Sequence, residues 1–164
     1  MARVAIISDT HLPRGARRLP EECLRRLREA DLILHAGDLV APAVLDELEA
    51  LGPPVAAVRG NVDVAALHTR LPAERVVEVE RVRLGMVHDA GPARGRLERL
   101  RARFPGCAAV VFGHSHIPLH EVAGDGFQIF NPGSPTDRRR QPTHTMGEAT
   151  VAGASVAFAH VDLG

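Results

Sequence analysis

Short β-rich apolar runs alternate with helical patterns over the first two thirds of this chain, and that alternation constrains the fold more than any other feature. The run RVAIIS over 3–8 reads as a strand leading to a helix around 20–30, with Cys23, Leu24 and Leu27 on one face. DLILHAG over 31–37 is the next strand, followed by a helix over about 41–50 with Val44, Leu45 and Leu48 inward. PVAAVRG over 54–60 is a third strand. RVVEVE and VRLGMVHD are separated by so few residues that an antiparallel pair is expected. A helix over about 93–103 carries Leu97, Leu100 and Phe104 on its buried stripe and five arginines elsewhere, which read as a solvated face interleaved with Glu98 rather than a nucleic-acid patch.

From AAVVFG (108–113) onward the pattern changes to short strands: LHEVAG, FQIFN, EATVAG and SVAFAHV. Gly124-Asp125-Gly126 and Gly153-Ala154 read as hairpin turns between them. A chain that begins as βαβ units and ends as a β meander is satisfied by two sheets face to face with helices outside.

Apolar residues at 45% and charged residues at 24% suit a soluble globular protein, and 164 residues suffice for one domain, 1–164, with a real core. The formal net charge is zero, so no global field draws in nucleic acid or an anionic membrane. Every cationic side chain is arginine, which reads as compositional bias. Cys23 and Cys107 match no paired metal or redox spacing and are expected to be buried reduced thiols. No signal-peptide architecture and no apolar stretch near the roughly 18 residues of a membrane span are present, so a cytoplasmic location is expected.

The chemistry lies just after the strands. SDTH supplies Asp9 and His11, HAGDL supplies Asp38, RGNVD supplies Asn61, GMVHD supplies His88, and FGHSH supplies His114 and His116. Functional groups of an open α/β sheet gather outside the carboxyl ends of its strands. Imidazoles, carboxylates and an amide without a thiolate suit first-row divalent ions rather than a structural zinc cage. Seven ligands exceed one tetrahedral ion, but with one bridging carboxylate they divide evenly between two.

The ordered motifs DTH (9–11), GD (37–38), GNVD (60–63), His88 in MVHD, GHSH (113–116) and NPGS (131–134) resemble those of the calcineurin-like metallophosphoesterases, in particular their small bacterial and archaeal phosphodiesterase subfamily. The resemblance spans about residues 3–160. It implies an α/β fold, a four-layer α/β/β/α sandwich of two mixed β-sheets flanked by helices. It also implies two divalent metal ions, manganese first, with nickel, cobalt, iron or zinc as alternatives. Asp9, His11 and His116 would hold one metal, Asn61, His88 and His114 the other, and Asp38 would bridge them. The implied activity is hydrolysis of phosphodiester bonds by a two-metal mechanism with a metal-bound hydroxide as nucleophile, and His114, Asn61 and Asp38 are the residues assigned catalytic roles.

Two positions depart from the wider family. Where many relatives carry a histidine after the GN asparagine, this chain has Val62, and where HGH is common it reads His88-Asp89-Ala90. Both departures remove an imidazole that could protonate the leaving oxygen. An ionised Asp89 beside a dicationic centre is a poor proton donor. Substrates with good leaving groups, such as aryl phosphodiesters, are therefore expected to turn over best.

Other polar residues take plainer readings. His35 lies in an apolar run and reads as a packed or supporting histidine. His68, His120, His144 and His160 read as surface or hairpin residues. Asp63 either orients Asn61 or forms a turn. NPGS reads either as a simple turn or, by the resemblance, as a support beside the site with Asn131 and Ser134 as buttresses. Arg138–Arg140 read as a solvated loop sooner than as a contact to substrate phosphate. The expected partner is a small phosphodiester, with no stable nucleic-acid or membrane partner and a homo-oligomer left open. The competing functions are a non-catalytic protein-interaction scaffold on the same fold, or a regulatory metal- or nucleotide-binding module.

Overall fold

The structure is a computed structural model that describes Met1–Gly164. Alternation along the first strand, β1 (Ala2–Ile7), divides its side chains between two cores. Val4 and Ile6 point to one face and Ala5 and Ile7 to the other, and all four are buried. A strand buried on both faces must lie inside a layered structure rather than at a surface.

Four further elements repeat the strand–helix alternation: α1 (Glu21–Glu29), β2 (Leu32–His35), α2 (Pro42–Glu49) and β3 (Val55–Ala57). Glu21 and Glu22 in the first turn of α1 and Arg26 and Arg28 in its last complement the helix dipole. Pro42 opens α2, where its missing N–H costs nothing. A single helical turn, α3 (Ala65–His68), follows β3. It is absent from the sequence expectations because four residues are too few to display helical periodicity.

The remaining elements are β4 (Glu74–Val79), β5 (Val82–Val87), α4 (Arg96–Arg103), β6 (Ala109–Val111), β7 (Leu119–Val122), β8 (Gln128–Asn131), β9 (Thr145–Ala152) and β10 (Ser155–Asp162). They form two five-stranded mixed sheets, ordered β10-β9-β1-β2-β3 and β4-β5-β6-β8-β7. β4 and β5 pair antiparallel, and both glycine-containing turns join antiparallel neighbours, as expected. β9 begins three residues earlier than its apolar run because Thr145 and Met146 extend the pairing with β10.

Val4, Ile6, Leu34 and Ala56 of the first sheet meet Leu84, Met86, Val111 and Phe130 of the second, which forms the central core. Cys23 and Leu27 of α1 and Val44, Leu45 and Leu48 of α2 cover the outer face of the first sheet. Leu100 and Phe104 of α4 cover that of the second. The result is the four-layer α/β/β/α sandwich. Cys23 is buried as expected, but Cys107 is only half-buried because it sits in the turn before β6; both are free thiols. The arginines of α4 are engaged at the surface, Arg101 with Asp125 and Arg103 with Glu74. No helix is long and apolar enough to cross a membrane.

Register decides what stands beside what. Ile7 pairs with His35 and His35 with Ala57, so β1, β2 and β3 end level. In the other sheet Met86 pairs with Val111 and Val111 with Phe130, so β5, β6 and β8 end level as well. The loops after these six strands meet at one rim.

Candidate metal centre

All seven expected donors lie on those loops. Asp9 and His11 follow β1, Asp38 follows β2, Asn61 follows β3, His88 follows β5, and His114 and His116 follow β6. Asp9, His11 and His116 bring ligand atoms within 4.8 Å of one another, and Asp38, His88 and His114 do the same. His114 and His116 thus stand in different groups although only Ser115 separates them. Asn61 joins the second group, its Oδ1 at 3.0 Å from His88 Nε2 and 3.2 Å from His114 Nδ1. Asp38 Oδ2 lies between the groups, 3.3 Å from His11 Nε2 and 3.2 Å from His88 Nε2.

The two sheets are tied together at this rim. The His114 backbone N–H donates to Asp9 Oδ2 at 3.0 Å, and His88 Nδ1 donates to the Ala36 carbonyl at 2.7 Å. Close approach demands glycine here. A Cβ on Gly60 would collide with Asp38 Oδ1, and one on Gly113 would collide with Ser8 Oγ.

Five of the donors hold left-handed backbone conformations: Asp9 (φ 55°), His11 (46°), Asp38 (62°), His114 (73°) and His116 (61°). Each costs about 1 kcal/mol for a residue with a Cβ, and such strain concentrates at functional sites.

Backbone acceptors fix the imidazoles. With Nδ1–H of His88 given to Ala36 and Nδ1–H of His116 given to the Asp137 carbonyl at 2.6 Å, each ring directs Nε2 into the site. Asp9 Oδ1, His11 Nε2 and His116 Nε2 are buried with no hydrogen-bond partner. Carboxylate oxygens and bare imidazole nitrogens converge there with no donor between them, an arrangement that only a proton or a cation compensates. Asp38 and Asp9 accordingly push His11 up to about 9. Burial works against a charged His88, but Asp38, Asp9 and the Ala36 carbonyl outweigh it and raise its pKa. Burial likewise opposes an ionised Asp38, yet His11 and His88 hold it well below the usual carboxylate range. His116, dominated by its burial, is lowered. The residues present fit a pair of divalent cations in charge, donor type and unsatisfied valence.

Asp9, His11, Asp38, His88 and His116 are buried, whereas His114 and Asn61 are exposed. The centre is therefore closed beneath and open on the side where those two stand.

The supporting residues behave differently from one another. Asp63 does not touch the Asn61 side chain; its carboxylate accepts the backbone N–H groups of Asp38 (3.1 Å), Val40 (2.6 Å) and Gly60 (2.7 Å), clamping two ligand loops together. Asn131 Nδ2 donates to the Gly113 carbonyl and to Ser115 Oγ, both at 3.1 Å, and Ser134 Oγ donates to the Asp9 carbonyl at 2.8 Å. Both buttress ligand loops as expected. His35 is buried and neutral: burial lowers it to about 3, Nδ1 accepts the Gly37 N–H, and Nε2–H therefore donates to Thr10 Oγ1. His68, His120, His144 and His160 lie outside both groups, with His160 stacked on Phe130. Ser8, which donates to Asp9 Oδ2 at 2.8 Å, and Thr136, which donates to the Thr10 carbonyl at 2.6 Å, escaped the sequence reading because no spacing marks a hydroxyl as a support.

Residues 2–154 match the family model of the calcineurin-like phosphoesterase superfamily domain. A probable metallophosphoesterase of Methanothermobacter thermautotrophicus is 39% identical over 135 residues, covering 81% of this chain and 77% of that protein. Among solved structures, Vps29 of Chaetomium thermophilum is similar with a TM-score of 0.80 at 22% identity, covering 98% of this chain and 97% of that one. Wild-type Vps29 of Entamoeba histolytica complexed with zinc gives 0.78 at 22%, with 99% of each chain covered. At such identity these two likenesses concern the fold alone.

Proposed function

Since this chain belongs to the calcineurin-like phosphoesterase superfamily, we propose that it is a metal-dependent phosphodiesterase acting on small diesters. The observation that carries the reading is the convergence of three buried, unpartnered atoms, Asp9 Oδ1, His11 Nε2 and His116 Nε2, beside Asp38 Oδ2.

In this reading Asp9, His11 and His116 hold one divalent cation, Asn61, His88 and His114 hold the other, and Asp38 is shared. Bound there, two such ions would supply Lewis acidity toward phosphoryl oxygens and would acidify water. Asp38 Oδ1 accepts the Val62 N–H at 3.0 Å, which leaves Oδ2 for both groups. His114 and Asn61, exposed at the mouth, are the side chains within reach of an arriving phosphate. The mixed nitrogen and oxygen donor set admits manganese, the ion put first here, and equally nickel, cobalt, iron or zinc.

The leaving oxygen receives little help from the chain. Val62 has no acidic proton to give, and the exposed Asp89 carboxylate accepts the Gly91 N–H at 2.8 Å. Displacement then depends on the stability of the departing alkoxide or phenoxide, which favours aryl esters. None of the seven donors is a serine or cysteine, and the Ser8 hydroxyl is buried and given to Asp9 Oδ2, so direct in-line attack by water fits the arrangement.

A second reading draws on the likeness to Vps29: the same fold could serve as a scaffold that binds a metal without turnover. The test is hydrolysis of bis(p-nitrophenyl) phosphate and of p-nitrophenyl phosphate by metal-stripped protein resupplied with each of the five metals. Metal-dependent cleavage of the diester above the monoester, reduced at least about tenfold in His114→Ala, is the expected result. Metal uptake with no cleavage of either ester would overturn the enzyme reading in favour of the scaffold.

A further inference from the structure

Immediately beside the His114–His116 segment lies a cavity of about 260 Å³ lined by Ser115, Ile117, Arg138, Arg139, Arg140 and Gln141. Its loop is anchored to the metal centre from beneath: the Asp137 carbonyl accepts His116 Nδ1–H, and the Asp137 N–H donates to Ser134 Oγ at 2.8 Å. The loop is also closed on itself. The Gln141 N–H donates to the Arg138 carbonyl at 2.9 Å, and Arg138 Nη1 donates to the Gln141 carbonyl at 2.6 Å. Arg139 at the tip of this turn has φ 50°.

The charge here is uncompensated. The arginines of α1 pair with Glu22, Glu29, Glu148 and Glu21, and Arg101 and Arg103 of α4 pair with Asp125 and Glu74. Arg139 and Arg140 have no carboxylate and no hydrogen-bond partner. Asp137, the acid of their own loop, is already taken by Arg17 at 3.2 Å.

Neutral donors complete the lining. Ser115 Oγ accepts the Ile117 N–H and Asn131 Nδ2, so its own proton is free for a further acceptor. Two guanidinium forks, a hydroxyl and an amide around one cavity match the terminal oxygens of a phosphomonoester, which guanidinium recognises in bidentate fashion.

We propose that this cavity is a subsite for a second phosphoryl group, so that the diester cleaved at the metal centre carries a phosphomonoester on its retained arm. The proposal rests on the phosphodiesterase reading and narrows its substrate class from diesters at large to diesters bearing a terminal phosphate. Arg139 and Arg140 hold that phosphate, and Ser115 links the subsite to the His114–His116 loop.

Two measurements on the manganese-loaded protein test it. The first compares cleavage of thymidine 5′-(p-nitrophenyl phosphate) with cleavage of the same ester bearing a 3′-phosphate. The second compares, by titration calorimetry, binding of thymidine 3′,5′-bisphosphate with binding of thymidine 5′-monophosphate. Both should favour the additionally phosphorylated compound by at least about tenfold, and the double variant R139Q/R140Q should shrink that preference to about twofold or less. The control R25Q/R28Q, which removes equal charge from α1, should keep the preference. Equal binding of the two nucleotides by the unaltered protein, or equal loss of preference in the control, overturns the subsite. Should neither ester be cleaved while the binding preference responds to R139Q/R140Q, the phosphodiesterase reading fails and the anion subsite stands; cleavage without preference gives the reverse.

Discussion

The Asp63 carboxylate accepts the backbone N–H of Asp38 at 3.1 Å, although the two residues belong to loops that follow different strands. The same carboxylate holds Val40 and Gly60, so one side chain sets the spacing between the Asp38 loop and the Asn61 loop. Asp63→Asn keeps the shape but turns one acceptor into a donor facing a backbone N–H. Stability should fall by about 1–3 kcal/mol in urea denaturation, and metal affinity should fall by about 10–100-fold in competition with a chelator. An unchanged affinity would show that the clamp is dispensable.

His114 and His116 are expected to serve different ions. His116→Ala should retain about one equivalent of metal and lose the ion held with Asp9 and His11, and His114→Ala should lose the other. Metal analysis of the two variants after dialysis, followed by titration of manganese back into each, checks this. Matched loss of both ions from either variant contradicts the division.

Absent a proton donor at Val62 and Asp89, turnover should depend steeply on the leaving group. Aryl diesters should be cleaved faster than methyl or alkyl diesters, and Val62→His should raise the alkyl rate by about 10²-fold while leaving the aryl rate little changed. Val62 is exposed beside Asn61, so the new imidazole has room. Comparable rates on both ester classes in the unaltered protein would remove the basis for this expectation.

His35 gives the metal-free protein a definite pH response. Its folded value of about 3 lies below the ordinary value of 6.5, so the unfolded chain binds the extra proton between the two. Its contribution to stability is complete above about 6.5 and declines as the pH falls toward 3, at about 1.4 kcal/mol per pH unit. Urea denaturation at stepped pH in the presence of chelator checks the slope. Nitrogen chemical shifts should report a neutral ring protonated at Nε2 at pH 5, and a charged ring at that pH would refute the assignment.

Much of the architecture was legible beforehand because period-two runs such as RVAIIS and 3.6-period stripes such as Cys23, Leu24 and Leu27 are local properties of the chain. The alternation of Val4 and Ile6 with Ala5 and Ile7 settles which face each side chain takes, whatever lies on the other side. α3 was illegible because one turn carries no period. Asp63 was half-legible: its proximity to the GN motif, whose Gly60 N–H it accepts, was visible, but its other two partners are N–H groups of a loop more than twenty positions away.

The site divides the same way. Residue type and position after a strand singled out the candidate donors Asp9, His11, Asp38, Asn61, His88, His114 and His116, because imidazoles and carboxylates announce themselves by identity. Tertiary structure alone decided which nitrogen each ring presents, since the acceptors that fix His88 and His116 are the carbonyls of Ala36 and Asp137, groups that every residue possesses. It alone also brought Arg139 and Arg140 beside Ser115 without a carboxylate to neutralise them. Sequence encodes the chemistry of side chains; the pairing of level strand ends across two packed sheets encodes the distances between them.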